Sequence, residues 1–453
     1  MNRPLRIPGT VFLCAVLSSP MLPGAEPSAE ERGKKALLER PFNTLVWSTS
    51  AYENAWKQWD TAALEKPQDY SRAFRERYGL HRAPYPNGDY PMGIRAVRGL
   101  LGSGLTTDCM FCHGGSILGT SYVGLPNSTL DMQALYEELA AADGRSPKTP
   151  FTFTNARGTT EAGAMAVYLY GFREPDLKLR SSFRDLGVRD DLCEDPPAWW
   201  LLKKKKSMYH TGSSDARSVR SIMQFMLSPL NSASVIKNEE PVFKDIQAFL
   251  RSIEPPKYPF PINGGLAEQG QAIFQQTCSK CHGTYGKDWN YPNKIVPIDT
   301  IGTDRTRLDG LSEQSGVFYN GSWFAHEKPG WLAGEFPARA TGGYQAPPLD
   351  GIWATAPYFH NGSVPTVYHV LNSKSRPKIY ARSFRTDEAD FDPMNLGWKI
   401  QELDKGADPA LPAIERRKIY DTTQPGRGNG GHTFADHLTD DERKAVIEYL
   451  KTL

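Results

Sequence analysis

A mainly α protein with long irregular loops and little sheet is the architecture this sequence predicts. Apolar and aromatic residues recur at spacings of three and four in several segments, the mark of amphipathic helices. Glycine (40) and proline (35) are plentiful in the 453 residues, which suits irregular segments wrapped around cofactors better than a regular sheet protein. The pentapeptide Cys-x-x-Cys-His occurs twice, as Cys109-Met110-Phe111-Cys112-His113 and as Cys278-Ser279-Lys280-Cys281-His282.

That spacing has a mechanical reason. Two intervening residues let both sulfurs reach one edge of a planar macrocycle and add across the two vinyl groups of a haem, and the next residue places its imidazole under the iron. A disulfide, a structural zinc site or a redox dithiol needs only Cys-x-x-Cys. The histidine after both copies favours two covalently bound haem c groups, held by Cys109, Cys112, Cys278 and Cys281, with His113 and His282 on the iron.

Hydrophobic residues at 39% and charged residues at 23% describe a globular chain, long enough for two or three domains. A net charge of +2 gives no electrostatic reason to expect nucleic acid. Of the six cysteines, four belong to the motifs, Cys14 lies in an N-terminal apolar stretch and Cys193 reads as a buried small residue. Arg3 and Arg6 before the apolar run Val11 to Leu17, with Ala25 beyond it, predict a signal peptide over residues 1–25. The apolar run is too short to span a bilayer, so the mature protein is expected in the periplasm or outside the cell.

Taken in order, the aromatics Trp47, Tyr52, Trp56, Trp59, Tyr70, Phe74 and Tyr78 predict one or two helices packed into a core. Gly99, Gly102, Gly104, Gly114, Gly115 and Gly119 surround the first motif and predict a loop there. Helices are expected over Leu130–Ala142, Ala162–Leu169, Ala216–Leu227 and Val242–Ile253. The run Lys203 to Lys206 reads as a solvated surface or as a docking site for an acidic redox partner. Glu254-Pro255-Pro256-Lys257-Tyr258-Pro259-Phe260-Pro261 forbids helix and sheet. It divides an N-terminal haem domain, 26–254, from a linker, 255–262, and a second haem domain, 263–453. In the latter, Leu266–Thr277 runs straight into Cys278, and Asp440–Leu453 closes the chain behind a Thr439/Glu442 capping box. The expectation is therefore two cytochrome c-like haem domains.

The far face of each iron decides between electron transfer and reactivity. Beyond His282 stand Met394, His326, His360, His369, His432 and His437. The glycines Gly428, Gly430 and Gly431 can bring His432 over a ring, with His437 as competitor. For the first haem, Met165, Met208, Met223, Met226 and His210 are available, and none stands out. An open first iron is favoured. Glu161 is a conceivable acid-base group, against the plainer reading of a solvated helix start.

The stretch from Ala346 to Thr366, with Ala356-Pro357-Tyr358-Phe359-His360-Asn361-Gly362-Ser363-Val364-Pro365-Thr366 at its end, resembles the haem-contacting segment of the bacterial di-haem cytochrome c peroxidase superfamily. The Pro365-Thr366 ending, Trp199-Trp200 followed by lysines, and Gly428 to His432 resemble its rubber oxygenase branch more closely. This resemblance implies that the N-terminal haem is catalytic, with His113 proximal and its other face open to oxygen. It implies that His282 and His432 hold the second iron, and that Trp200 conducts between the haems while Trp199 packs at the pocket. Val367 to Asp392 contains no methionine, unlike the peroxidases. The function so implied is an exported oxidoreductase that uses dioxygen on an alkene-like small or polymeric organic substrate, the second haem relaying electrons, with a redox partner protein possible. The alternatives are a peroxidase reducing hydrogen peroxide and a non-catalytic electron carrier.

Overall fold

The structure, a computed structural model, describes residues 26–59, 65–99, 102–327 and 335–453. The signal peptide expected over 1–25, Cys14 included, lies outside them. Among the described residues no helix is long and apolar enough to cross a membrane.

The fold is mixed α and β rather than mainly α: 37% of it is helix and 13% strand, the strands among the described residues lying in six small sheets. The glycine-rich approach to the first motif, expected as loop, accounts for much of the difference. Strands β1 (Trp47–Ser48), β2 (Ile94–Gly99) and β3 (Gly102–Thr107) form an antiparallel sheet in the order β1-β3-β2. Strands β4 (Gly114–Ile117) and β5 (Thr120–Val123) form a hairpin directly after His113. Interleaved residues such as Ile94, Leu105 and Ile117 bury the inner faces. At Gly104 a Cβ would collide with Leu45 and the Trp47 carbonyl, so glycine is there for close approach and not for looseness.

Eight helices of nine residues or more stand among the described residues: α1 (Ala29–Glu39), α2 (Tyr70–Tyr78), α3 (Met132–Ala142), α4 (Ala162–Tyr170), α5 (Glu240–Ser252), α6 (Gly264–Thr277), α7 (Glu313–Gly321) and α8 (Asp440–Leu450). The helix expected over Ala216–Leu227 is instead a tight 3-10 segment, Arg220–Met226, preceded by a short strand, Ser214–Asp215. No helix or strand runs between Ser252 and Gly264.

Two helix pairs frame the molecule in the same manner. Helix α1 crosses α5 at Gly33, where a Cβ would overlap the Asp245 carbonyl; α6 crosses α8 at Gly270, where it would overlap the Ala445 carbonyl. Helices α1 and α8 both open with a capping box, Ser28 with Glu31 and Thr439 with Glu442, which satisfies orphan amides at each start. The cores are shared across the proline-rich segment. Leu37, Met110 and Phe243 pack with Phe318, Tyr319 and Phe324, and Trp353 and Ile447 pack with Ile117, Leu125, Ala198 and Trp200.

Candidate functional site

The first motif sits on a single helical turn, Met110–His113. Buried Asp108 anchors its start, pairing with Arg95 at 2.7 Å and accepting the Met110 amide at 2.9 Å. His113 Nδ1 donates to the Pro197 carbonyl at 3.1 Å. A carbonyl can only accept, so the proton is held on Nδ1 and Nε2 is left bare, the tautomer a metal requires. The Trp199 ring stacks on the imidazole at 5.0 Å and 27°. Gly124 ties the two together, its amide donating to the His113 carbonyl at 2.7 Å and its carbonyl accepting from the Trp199 amide at 2.9 Å. Burial lowers the His113 pKa to about 4 and raises that of the Cys112 thiol to about 12, so the ring is neutral at physiological pH, as a ligand must be.

The second motif follows α6 without a break. The Cys278 amide donates to Phe274 at 2.8 Å, and Ser279–His282 forms the turn. His282 Nδ1 donates to the Pro347 carbonyl at 2.8 Å, repeating the arrangement at His113. The Tyr285 hydroxyl donates to the His282 carbonyl at 3.0 Å and accepts the Leu349 amide at 2.6 Å, which locks the turn against the segment after Pro347. Burial lowers the His282 pKa as well. None of the four motif cysteines is in a disulfide.

His432 faces His282 with ring centroids 6.2 Å apart. Two nitrogen-to-metal bonds of about 2 Å each and the half-widths of two imidazoles add to about 6 Å, so the pair fits a metal between them. Distance alone does not define such a pair, because His210 and His360 stand 6.3 Å apart. There, however, His210 Nε2 donates to the Asp195 carbonyl at 2.7 Å, and His360 stacks on Tyr344 at 4.1 Å with its Nε2 against the Tyr344 hydroxyl. At His432, by contrast, Nδ1 is buried without a hydrogen-bond partner, and burial together with the nearby His282 and Arg376 lowers its pKa to about 4.

The loop carrying His432 is pinned, not pliant. Gly431 has φ +73°, and a Cβ there would overlap the Gly302 backbone. His432 itself lies in the left-handed region at φ 47°, its amide donating to Ile301 at 2.6 Å.

The remaining ligand candidates are placed elsewhere. His437 is exposed, and Met394 is 71% exposed. His326 reaches the Asn320 carbonyl at 3.0 Å and His369 the Thr366 hydroxyl at 2.7 Å. Met208, Met223 and Met226 are core residues. Met165 is half-buried against the cluster that also takes Cys112. Glu161 is fully buried rather than solvated: its carboxylate accepts the Leu192 and Cys193 amides and the Asn155 side chain, and burial raises its pKa to about 7. Cys193 is buried as expected. The lysine run is not a uniform surface. Lys203 and Lys206 are exposed, Lys204 pairs with Asp350 at 2.7 Å over the Tyr285 and Trp289 rings, and burial lowers Lys205 to about 8.

Trp200, 3% exposed, donates its indole N–H to the Asp350 carbonyl at 2.7 Å. A continuous route results. It runs from His113 through the Pro197 carbonyl and along the chain to Trp200, then across to Asp350 and back through Pro347 to His282. Pro197, Pro347 and Asp350 were not singled out from the sequence. Two of the chain's three Pro-Pro dipeptides, Pro196-Pro197 and Pro347-Pro348, carry these carbonyls, since proline keeps a carbonyl but offers no N–H to a ladder.

Paired thiols followed by a neutral imidazole with one bare nitrogen define a c-type haem-binding protein. In agreement, residues 343–381 match the family described as RoxA-like, cytochrome c-like. The match spans Pro347, His360 and Arg376, between the second motif and His432. A cytochrome c-like domain implies haem c and, in general terms, electron transfer or oxidoreductase chemistry. Only one such domain is detected, so two cytochrome c-like haem domains, as expected from the sequence, are not shown. The chain is also similar to two proteins of Sinorhizobium fredii (strain NBRC 101917 / NGR234). It is 29% identical to uncharacterized protein y4iJ over 262 residues, 44% of this chain and 41% of that one. It is 30% identical to uncharacterized protein y4iM over 247 residues, 45% and 52% respectively. The chain thus aligns with about half the length of these relatives.

Proposed function

We propose that this chain is an exported oxidoreductase with two covalently bound haem c groups. In this reading the His113 site takes dioxygen and directs it at an alkene-like organic substrate, while the His282–His432 site relays electrons. The observation that supports it most is an asymmetry: His432 stands opposite His282, whereas the ring contact found at His113 is Trp199, among the described residues. A haem c supplies a redox-active iron that can bind dioxygen where its second axial position is free.

The chain's own residues divide the remaining work. Pro197 and Pro347 hold the Nδ1 protons of the two proximal histidines, Trp199 fixes the His113 ring by stacking, and Trp200 with Asp350 joins the sites. Lys206 offers exposed positive charge for an acidic redox partner, whereas the exposed Lys203 is already paired with Glu254. A second reading, an electron carrier with both sites filled, draws on Met165, which packs against the same apolar cluster as Cys112. Peroxide cleavage would want a nearby acid-base group, and the buried carboxylate of Glu161 is engaged by backbone amides.

Optical and electron paramagnetic resonance spectra of the holoprotein, made in a host competent in cytochrome maturation, test the proposal. One low-spin site and one site that responds to carbon monoxide and dioxygen are expected. Two low-spin sites indifferent to both gases would overturn the oxygenase reading in favour of the carrier.

A further inference from the structure

Arg376 lies in the tight turn after the short helix Val367–Leu371 and is the hub of the loop that carries His432. A guanidinium has five N–H donors in a planar fork, and here they meet five backbone carbonyls. Nε donates to His369 at 2.8 Å, Nη1 to Asn429 and to Gly431 at 2.7 Å each, and Nη2 to Val370 and to His432 at 3.3 Å each. The carbonyls come from two segments more than fifty residues apart, so one side chain sets the distance between them. The guanidinium also lies over the Phe359 ring at 5.0 Å, and Phe359 in turn contacts the His432 imidazole at 5.9 Å. Asp436, whose charge acts on Arg376, spends its carboxylate on the Ser373 amide and hydroxyl.

We propose that Arg376 is the positioning residue that holds His432 in its ligand-bearing conformation, and so sets whether the His282 iron has one protein ligand or two. The inference rests on the reading of His432 as second ligand. His432 sits at a strained positive φ, and the carbonyls of residues 429, 431 and 432 are converged on one cation. Removing the cation leaves those carbonyls turned toward one another without a donor, and the loop relaxes by swinging the imidazole away. Lysine does not substitute, because its three donors on a flexible stem cannot span five carbonyls in a plane.

The test uses the holoprotein and its low-spin resonance signal. Arg376→Ala is expected to lose most of the low-spin signal of the second site and to gain a high-spin one, with the covalent haem content unchanged. Added guanidinium ion is expected to restore the low-spin state, which a general loss of fold would not allow. An unaltered low-spin signal in Arg376→Ala overturns the inference. If that variant does not mature, Arg376→Lys decides. A mixed-spin second site that free imidazole converts back to low-spin supports the proposal, and a fully low-spin one overturns it. His432→Ala separates the underlying reading: should it remain low-spin, the ligand assignment itself fails, whatever Arg376 does.

Discussion

The His113 and His282 turns present their imidazoles alike and differ in what surrounds them. Each ring gives its Nδ1 proton to a proline carbonyl, at 3.1 Å and 2.8 Å, and each is kept neutral by burial. On the His282 side, a pinned glycine loop and an arginine fork bring a second imidazole to 6.2 Å. On the His113 side, an indole stacks on the ring and a β-hairpin follows directly. The lesson is that matching motifs fix the proximal half of a site only. The other half is set by segments far away in sequence, and the function follows from those.

The strongest way to break this comparison is to remove one pair of thiols at a time. Cys278→Ala with Cys281→Ala is expected to cost one covalently attached porphyrin, and Cys109→Ala with Cys112→Ala the other, read by intact mass and haem staining. A mass unchanged by either double variant, or lacking both groups after one, would dismiss the idea of two independent sites.

Next in size is the helix pair at each end. Gly33→Val and Gly270→Val both push a side chain into a facing carbonyl, and each is expected to cost about 3 kcal/mol or more, seen as an early unfolding transition. Equal losses would sharpen the likeness between the halves; a harmless Gly33→Val would end it.

Glu161 supplies a pH test. Its folded pKa, about 7, lies above the ordinary value of 4.5, so the folded state binds the extra proton between those limits. Its contribution is fully present below about pH 4.5 and is lost as pH rises through 7, by roughly 3 kcal/mol at most. Glu161→Gln is expected to flatten stability against pH over that window in denaturant titrations; an unchanged slope would assign the dependence elsewhere. The smallest effect concerns the link between the sites. Trp200→Phe leaves the Asp350 carbonyl without its indole donor, for a loss of about 1–2 kcal/mol and, with both proposed haems in place, slower electron exchange between the two sites after flash photolysis. Unchanged exchange would remove Trp200 from the route.

Much of the second site was legible in the sequence. The motif, the helix running into it and the Thr439/Glu442 capping box all depend on residues close together, and α6 and α8 follow. The first site was less so. Gly102, Gly104, Gly114 and Gly115 read as loop because glycine weakens strands locally, yet they pair in ladders whose partners are distant. The segment 216–227 has an apolar helical rhythm but tightens into a 3-10 turn, where Arg220 reaches the Trp323 carbonyl and Glu240. Arg376 had no local signal at all, because its partners are backbone atoms, which no side-chain pattern announces.

The two proline carbonyls carry one more implication. Had a carboxylate stood in place of Pro197 or Pro347, it would draw the Nδ1 proton toward itself and make the imidazole an electron-rich, imidazolate-like donor to the metal. A neutral amide oxygen asks for no such shift. Each imidazole therefore keeps its own proton and would meet a metal as a neutral ring, a weaker donor than one leaning on a carboxylate.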